Sequence, residues 1–353
     1  YICMKKTYLS IVTMMGTILS GCNAHDSHKI REEYFTDNAI VYDVPSHKAD
    51  TLRGEKLLSD LVGPFNLIVA DSIICLSNTQ DAPCFMMYNL NGAHLLDIGV
   101  RGQGPNDFLS TMPNGQVIKK NGETSILIED GNAAALKQLN LTKSLKEKTA
   151  VVDSIYPYTF MEKFAGLSDG RLIEEGRCDG NYELVIKSTD DYTLLHKEKL
   201  YKIDAVENDP IAYWARMSIS PNGQYWVMAL NSLNEINIMD LHDFSRQTVS
   251  VGNVKTYEEF CDREQAVPDW RFYSSISLSD DNIYAMYSNE PWVPEDDVAY
   301  DRELHVFGYD GSLKLIAPMD RRIRNISYSP IDNKLYALDF DDNVFKYTLP
   351  QFE

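Results

Sequence analysis

The sequence predicts an all-β protein, a six-bladed β-propeller closed by an N-terminal strand and preceded by a lipoprotein signal peptide. Three observations carry that prediction. Short runs of alternating apolar and polar residues are bounded by Gly, Pro, Asn and Asp turns, the pattern of half-buried strands. The runs group into units recurring at about 40 to 50 residues, the period of propeller blades. The last unit is a strand short, and a spare β-rich segment lies near the N-terminus.

The clearest unit is Arg216 to Ser220, the turn Pro221-Asn222-Gly223, Tyr225 to Ala229, a loop at Asn231 to Asn234, Glu235 to Asp240 and Gln247 to Val251. Ser274 to Leu278, Ile283 to Tyr287 and Glu303 to Tyr309 repeat it, as do Ile326 to Asn333, Lys334 to Leu338 and Val344 to Tyr347. Units are expected to begin near Pro64, Pro113, Tyr156, Ile211, Trp270 and Arg322. The sixth has three strands before Glu353, and an open outer edge invites aggregation. Ala39 to Val44 is therefore the expected closing strand. A β-sandwich or a seven-bladed ring is the alternative, with a further strand pair inside residues 36–63. Tyr257 to Arg263 is a candidate for a helical turn or two.

The first 21 residues read as an export signal. Met4 is the expected start, Lys5 and Lys6 form a basic region, and Tyr8 to Leu19 form an apolar run too short to cross a bilayer, which takes about 20 residues. The run ends in Leu19-Ser20-Gly21-Cys22, which resembles a bacterial lipobox. Cys22 is the expected lipidation site, residues 22–35 the tether and residues 36–353 the propeller. Asn23 to His28 holds a single acid where surface export uses an acidic cluster. The expected location is the outer membrane, facing the periplasm first and the cell surface second.

A net charge of -19 excludes nucleic acid as partner, and leaves the lipid as the only membrane attachment. It suits a self-repelling monomer. Cys75, Cys84, Cys178 and Cys261 show no C-x-x-C spacing. An oxidising compartment permits a Cys75–Cys84 disulfide, and two buried free thiols are the other reading.

Gly99-Val100-Arg101-Gly102-Gln103-Gly104-Pro105-Asn106-Asp107-Phe108 resembles the G-x-x-G-x-G-P-x-E/D-F signature of TolB-like six-bladed propeller lipoproteins of Gram-negative bacteria, with Asp107 where Glu is frequent. The resemblance implies a fold and a compartment and no activity. Read as a phosphate loop the run fails, because no lysine-hydroxyl pair follows it. The favoured reading is a tight interblade turn with Phe108 packed beneath.

H-E-x-x-H does not occur, and the seven histidines are scattered singly, so no catalytic metal or cofactor is expected. None of the acid groups at Asp280-Asp281, Glu295-Asp296-Asp297 and Asp339-Asp341-Asp342 completes the D-x-[DN]-x-[DN]-G calcium-loop pattern, and they read as turns. One distribution points to a site. The inferred entries to the innermost strands hold Arg101, Tyr158, Trp214, Arg216, Trp270, Arg271, Tyr273, Arg321, Arg322 and Arg324, and the middle loop of the fifth unit holds Trp292. Together they would form a positive, aromatic-lined mouth on the channel. In the competing reading the aromatics pack between blades and the arginines pair with neighbouring acids. The expected function is a noncatalytic binding module for an envelope protein or a glycan. A propeller lyase or glycosidase with paired channel carboxylates is the alternative.

Overall fold

The computed structural model describes residues 28–31, 34–44, 48–78, 83–157, 164–178, 181–202, 215–252, 270–291 and 302–352. Three strands come first in the chain and all lie on outer edges: β1 (His28–Arg31), β2 (Ala39–Tyr42) and β3 (Glu55–Leu58). Six antiparallel units then follow in order. The first blade is β4 (Pro64–Ala70), β5 (Ile73–Asn78), β6 (Phe85–Asn89) and β7 (His94–Ile98). The second is β8 (Met112–Lys120), β9 (Glu123–Asp130), β10 (Ala135–Asn140) and β11 (Val152–Pro157). The third is β12 (Phe164–Ser168), β13 (Arg171–Cys178), β14 (Asn181–Ser188) and β15 (Leu194–Lys199). The fourth is β16 (Ala215–Ile219), β17 (Tyr225–Leu230), β18 (Ile236–Asp240) and β19 (Arg246–Val251). The fifth is β20 (Trp270–Leu278), β21 (Ile283–Pro291), β22 (Glu303–Phe307) and β23 (Leu313–Pro318). The sixth is β24 (Ile323–Ser329), β25 (Lys334–Asp339) and β26 (Val344–Thr348), completed by β3.

The ring is thus a six-bladed propeller closed by an N-terminal strand, as expected, but by a different strand. Leu58 pairs with Val344, so residues 55–58 close the sixth blade. The expected closing segment instead pairs in parallel with β19, Ile40 opposite Val249 and Tyr42 opposite Val251, and β1 extends that fourth blade further. The reason lies in the path of the chain. From the fourth blade it runs along the fifth, where the Ala49 and Leu52 amides donate to the Ile316 and Pro318 carbonyls, and only then reaches the sixth. Residues 34–44 and 48–58 form a strap over the outer edges of neighbouring blades. The packed body also begins before residue 36, because Phe35 is fully buried between Tyr201 and Trp226.

The third blade begins at Phe164 and not near Tyr156, which lies on β11 at the outside of the second. The Ile211 start falls outside the described residues, as do Cys22 and Tyr257 to Arg263; the strand there begins at Ala215. A helix absent from the expectations, α1 (Leu141–Glu147), links β10 to β11, with the Asn140 side chain accepting from the Lys143 amide at 2.8 Å.

The core is divided among the blade interfaces. Ile68, Phe85 and Ile126 pack between the first and second blades, Trp226 and Leu184 between the third and fourth, and Tyr284 and Ile326 between the fifth and sixth. The thinnest seam, between the second and third, has only Leu127, Leu136, Ala165 and Leu172 fully inside among the described residues. Cys75 and Cys84 are buried free thiols, with Cys75 pushed up to about 12 by burial.

Innermost strands leave one edge without a β partner, and their buried amides need acceptors. Side chains of the neighbouring blade supply them. Ser275 Oγ and Ser277 Oγ accept from the Ile326 and Tyr328 amides at 3.1 and 2.9 Å. Asn325 Oδ1 and Ser327 Oγ accept from the Leu67 and Val69 amides at 2.9 and 2.8 Å. Gln116 Oε1 accepts from the Leu167 amide at 2.9 Å. The two-residue spacing of these Ser and Asn residues puts both acceptors on one strand face.

Candidate functional site

The channel opens at the end where the innermost strands begin. There a cavity of about 490 Å³ is lined by Phe65, Ala215, Arg216, Asn231, Arg271, Ser274, Arg324 and Phe340. Below it a narrower space of about 140 Å³ continues past Asn66, Glu129, Ser218 and Asn325, sharing Ala215 and Arg216 with the mouth. Gly115 helps to narrow it: its φ is +81°, and a Cβ there would lie 3.3 Å from Ser218 Oγ on the fourth blade.

Arg216 and Arg271 stand near the start of β16 and β20, and Arg324 near the start of β24, so strand register brings them to one level. Arg216 donates from Nε to the Ser274 carbonyl at 3.0 Å and forms no ion pair among the described residues. It is open to solvent but ringed by protein; that burial and the charge of Arg271 lower its proton affinity. Burial likewise lowers Arg271, against the nearby Glu290. Arg324 donates to the Pro64 carbonyl at 2.7 Å and pairs with Asp342 at 3.1 Å.

Glu290, at 1% exposure, gathers the flanking cations: Arg322 at 2.8 Å, Arg302 at 3.2 Å and Arg271 at 3.7 Å. Among the described residues of this group, five guanidiniums (Arg216, Arg271, Arg302, Arg322 and Arg324) face two carboxylates (Glu290 and Asp342), an excess of three positive charges. The aromatic component is phenylalanine. Phe65 and Phe340 are 39% and 38% exposed, and the Arg322 guanidinium lies 4.0 Å from the Phe340 ring centre.

The other candidates from the sequence lie elsewhere. Arg101 donates to the Leu109 and Asn78 carbonyls at 3.1 and 2.9 Å, beside the glycine-rich turn. Tyr273 is fully buried and hydrogen-bonded to His305 at 3.1 Å, and Trp270 donates to Asn289 Oδ1 at 2.9 Å at the margin of the interface between the fourth and fifth blades. Arg321 pairs with Asp320 at 2.7 Å and lies over Phe345. Tyr158, Trp214 and Trp292 fall outside the described residues. Sequence reasoning missed Phe65, Phe340, Asn231 and the Glu290 hub. Phe340, an apolar residue inside the acidic turn Asp339 to Asp342, was the one readable signal.

The Gly99–Phe108 run is a turn with Phe108 fully buried against Phe85. Asp107 folds back on it, accepting from the Gly104 amide at 2.9 Å, and Cβ atoms at Gly102 and Gly104 would fall 2.3 and 2.7 Å from its Oδ2. The acids at 339–342 also form a turn, Asp339 Oδ1 accepting from the Asp341 and Asn343 amides at 2.9 Å each.

One carboxyl in the channel titrates unusually. Burial pushes Glu129 up to about 8, opposed by a hydrogen bond from the Ala165 amide and reinforced by Glu175. Glu175 is fully buried, so the two acids do not face one another across accessible space. An unfolded Glu titrates near 4.5. Between that pH and about 8 the folded protein keeps a proton that the unfolded chain has lost, so this group makes stability fall as pH rises through the window and level off above it. Glu129→Gln is expected to flatten the profile, with its largest gain above pH 8 in urea unfolding followed across pH. A gain confined to acid pH would contradict this.

No family model matches the chain, and no curated protein matches it either. Solved structures do. A Bacteroides fragilis protein described as exported shares 10% identity over 87% of this chain and 98% of its own, with a TM-score of 0.52. A member of the DUF4221 family from Bacteroides vulgatus shares 12% identity over 86% and 98%, with a TM-score of 0.53. At these identities the likeness is one of fold.

Proposed function

We propose that the protein is a noncatalytic binding module of the cell envelope, which holds an anionic group of a protein partner or glycan in the arginine-lined mouth of its channel. The observation that carries the reading is the convergence of Arg216, Arg271 and Arg324 with Phe65 and Phe340 around one cavity of about 490 Å³. That volume suits a small ligand or the end of a larger one. Guanidinium forks match carboxylate or sulfate oxygens, and phenylalanine faces match the apolar side of a sugar ring or side chain. The overall charge opposes an anion at long range, but screening beyond about 8 Å leaves local contacts to decide.

Glycoside hydrolysis needs two carboxyl groups that both reach the substrate. The burial of Glu175 beside Glu129 supports binding over that chemistry. The envelope location rests on the lipobox at Cys22 and the TolB-like signature at Gly99 to Phe108, and an exported structural neighbour is compatible with it. In this reading the chain is a lipid-anchored monomer of the outer membrane.

The test is a calorimetric screen of uronate- and sulfate-bearing oligosaccharides and acidic peptides. Replacing Arg216 and Arg271 together with Ala is expected to weaken the best ligand by about 2–5 kcal/mol while leaving the thermal midpoint near wild type. Unchanged affinity in the double variant would remove the mouth as the site.

A further inference from the structure

The channel has a second end, and its chemistry is the opposite of the first. Where the innermost strands finish, a cavity of about 310 Å³ shares Gly115, Ser277 and Ser327 with the narrow part of the channel. Its walls are mostly apolar, with Val69, Val117, Ile219, Leu278 and Tyr328 lining it and the hydroxyl-bearing Ser277, Ser279 and Ser327 set among them. Tyr328 is held by stacking on Tyr284, with ring centres 4.5 Å apart. The charges at its rim are Asp71, Lys119 and Asp280. Lys119 is engaged by Asp71 at 3.1 Å. Asp280 has no ion pair among the described residues, and it sits in a braced turn: Ser279 Oγ accepts from the Asn282 amide at 3.0 Å, and Tyr309 donates to the Ser279 carbonyl at 2.7 Å.

We propose that this end is a second ligand site, for a small organic cation with an apolar body. The walls take the body, whose burial supplies affinity, and Asp280 takes the charge. A volume near the lower end of the range for ligand pockets limits the guest to about one or two rings. The net charge of -19 attracts cations toward the molecule, while the arginine excess turns them away from the opposite mouth. Cation and anion therefore sort to opposite ends of one channel. The site shares none of its rim charges with the arginine mouth and stands whether or not that mouth binds anions.

The experiment compares tryptamine with indole-3-acetate, which share a ring system and differ in charge, by calorimetry or ligand-observed NMR. Tryptamine is expected to bind at millimolar concentration or below, and about fivefold or more tighter than indole-3-acetate. Asp280→Asn should abolish that preference without changing the thermal midpoint, and Leu278→Trp should fill the cavity and remove binding of both. The Arg216→Ala, Arg271→Ala double variant should bind tryptamine as the wild type does, which separates this site from the other. If Leu278→Trp fails to fold, Asp280→Asn decides, since it removes charge and keeps volume. Absence of tryptamine binding, equal affinity for the two probes, or a preference that survives Asp280→Asn would overturn the proposal.

Discussion

Asp130→Ala is expected to destabilise the domain by about 3–5 kcal/mol, the range for removing one partner of a buried ion pair. Asp130 is fully buried and accepts from Lys137 Nζ at 2.8 Å and from the Leu109 and Ser110 amides at 3.1 and 2.7 Å. Lys137 also donates to the Asp107 carbonyl at 2.7 Å, so the pair ties the glycine-rich turn to the second blade. Without the carboxylate, two amides and an ammonium lose acceptors where little water reaches. Urea unfolding measures the loss, and adding Lys137→Met to the variant should recover part of it, because the orphaned charge goes too. A loss below about 1 kcal/mol would mean that the turn is held by its backbone alone.

The second large effect concerns the strap. A chain beginning at residue 48 lacks Phe35 and β2, so it leaves a void beside Trp226 and uncovers the edge of β19. The void alone is worth about 3–5 kcal/mol on the scale of large-to-small aromatic substitutions. A chain beginning at residue 60 lacks β3 as well and leaves the outer edge of β26 unpaired. The first variant is expected to melt cooperatively at a lower temperature, and the second to lose cooperative melting and to aggregate through its open edge. Calorimetry distinguishes them; wild-type midpoints in both would refute closure by the strap. Phe35→Ala isolates the packing part.

The strands were legible in the sequence because alternation reports which face is buried, and that is a local property. The closing strand was not. Ala39-Ile40-Val41-Tyr42 is richer in β-formers than Glu55-Lys56-Leu57-Leu58, yet the path of the strap across the fourth and fifth blades decides which segment reaches β26. The third blade was placed too early because Tyr156 belongs to an alternating outer strand, and the pattern does not distinguish outer from inner. The short helix was readable from Asn140 but lacked the length to show a period.

The mouth was legible in part. Arginines near the start of innermost strands must come near the channel, so Arg216, Arg271 and Arg324 could be found from position alone. Arg101 follows the same rule but turns into the carbonyls around its own loop, which only the packed structure reveals. Phe65 and Phe340 come from an inner strand and a turn far apart in sequence, and their meeting at one cavity depends on closing the ring.

The most direct test of the arginine-lined mouth as the binding site is a crystal structure with the tightest anionic ligand from the screen. The account predicts the carboxylate or sulfate within hydrogen-bonding distance of Arg216 and Arg271, with the ligand body against Phe65 or Phe340. A ligand bound on an outer blade edge, or at the Asp280 end of the channel, would contradict it.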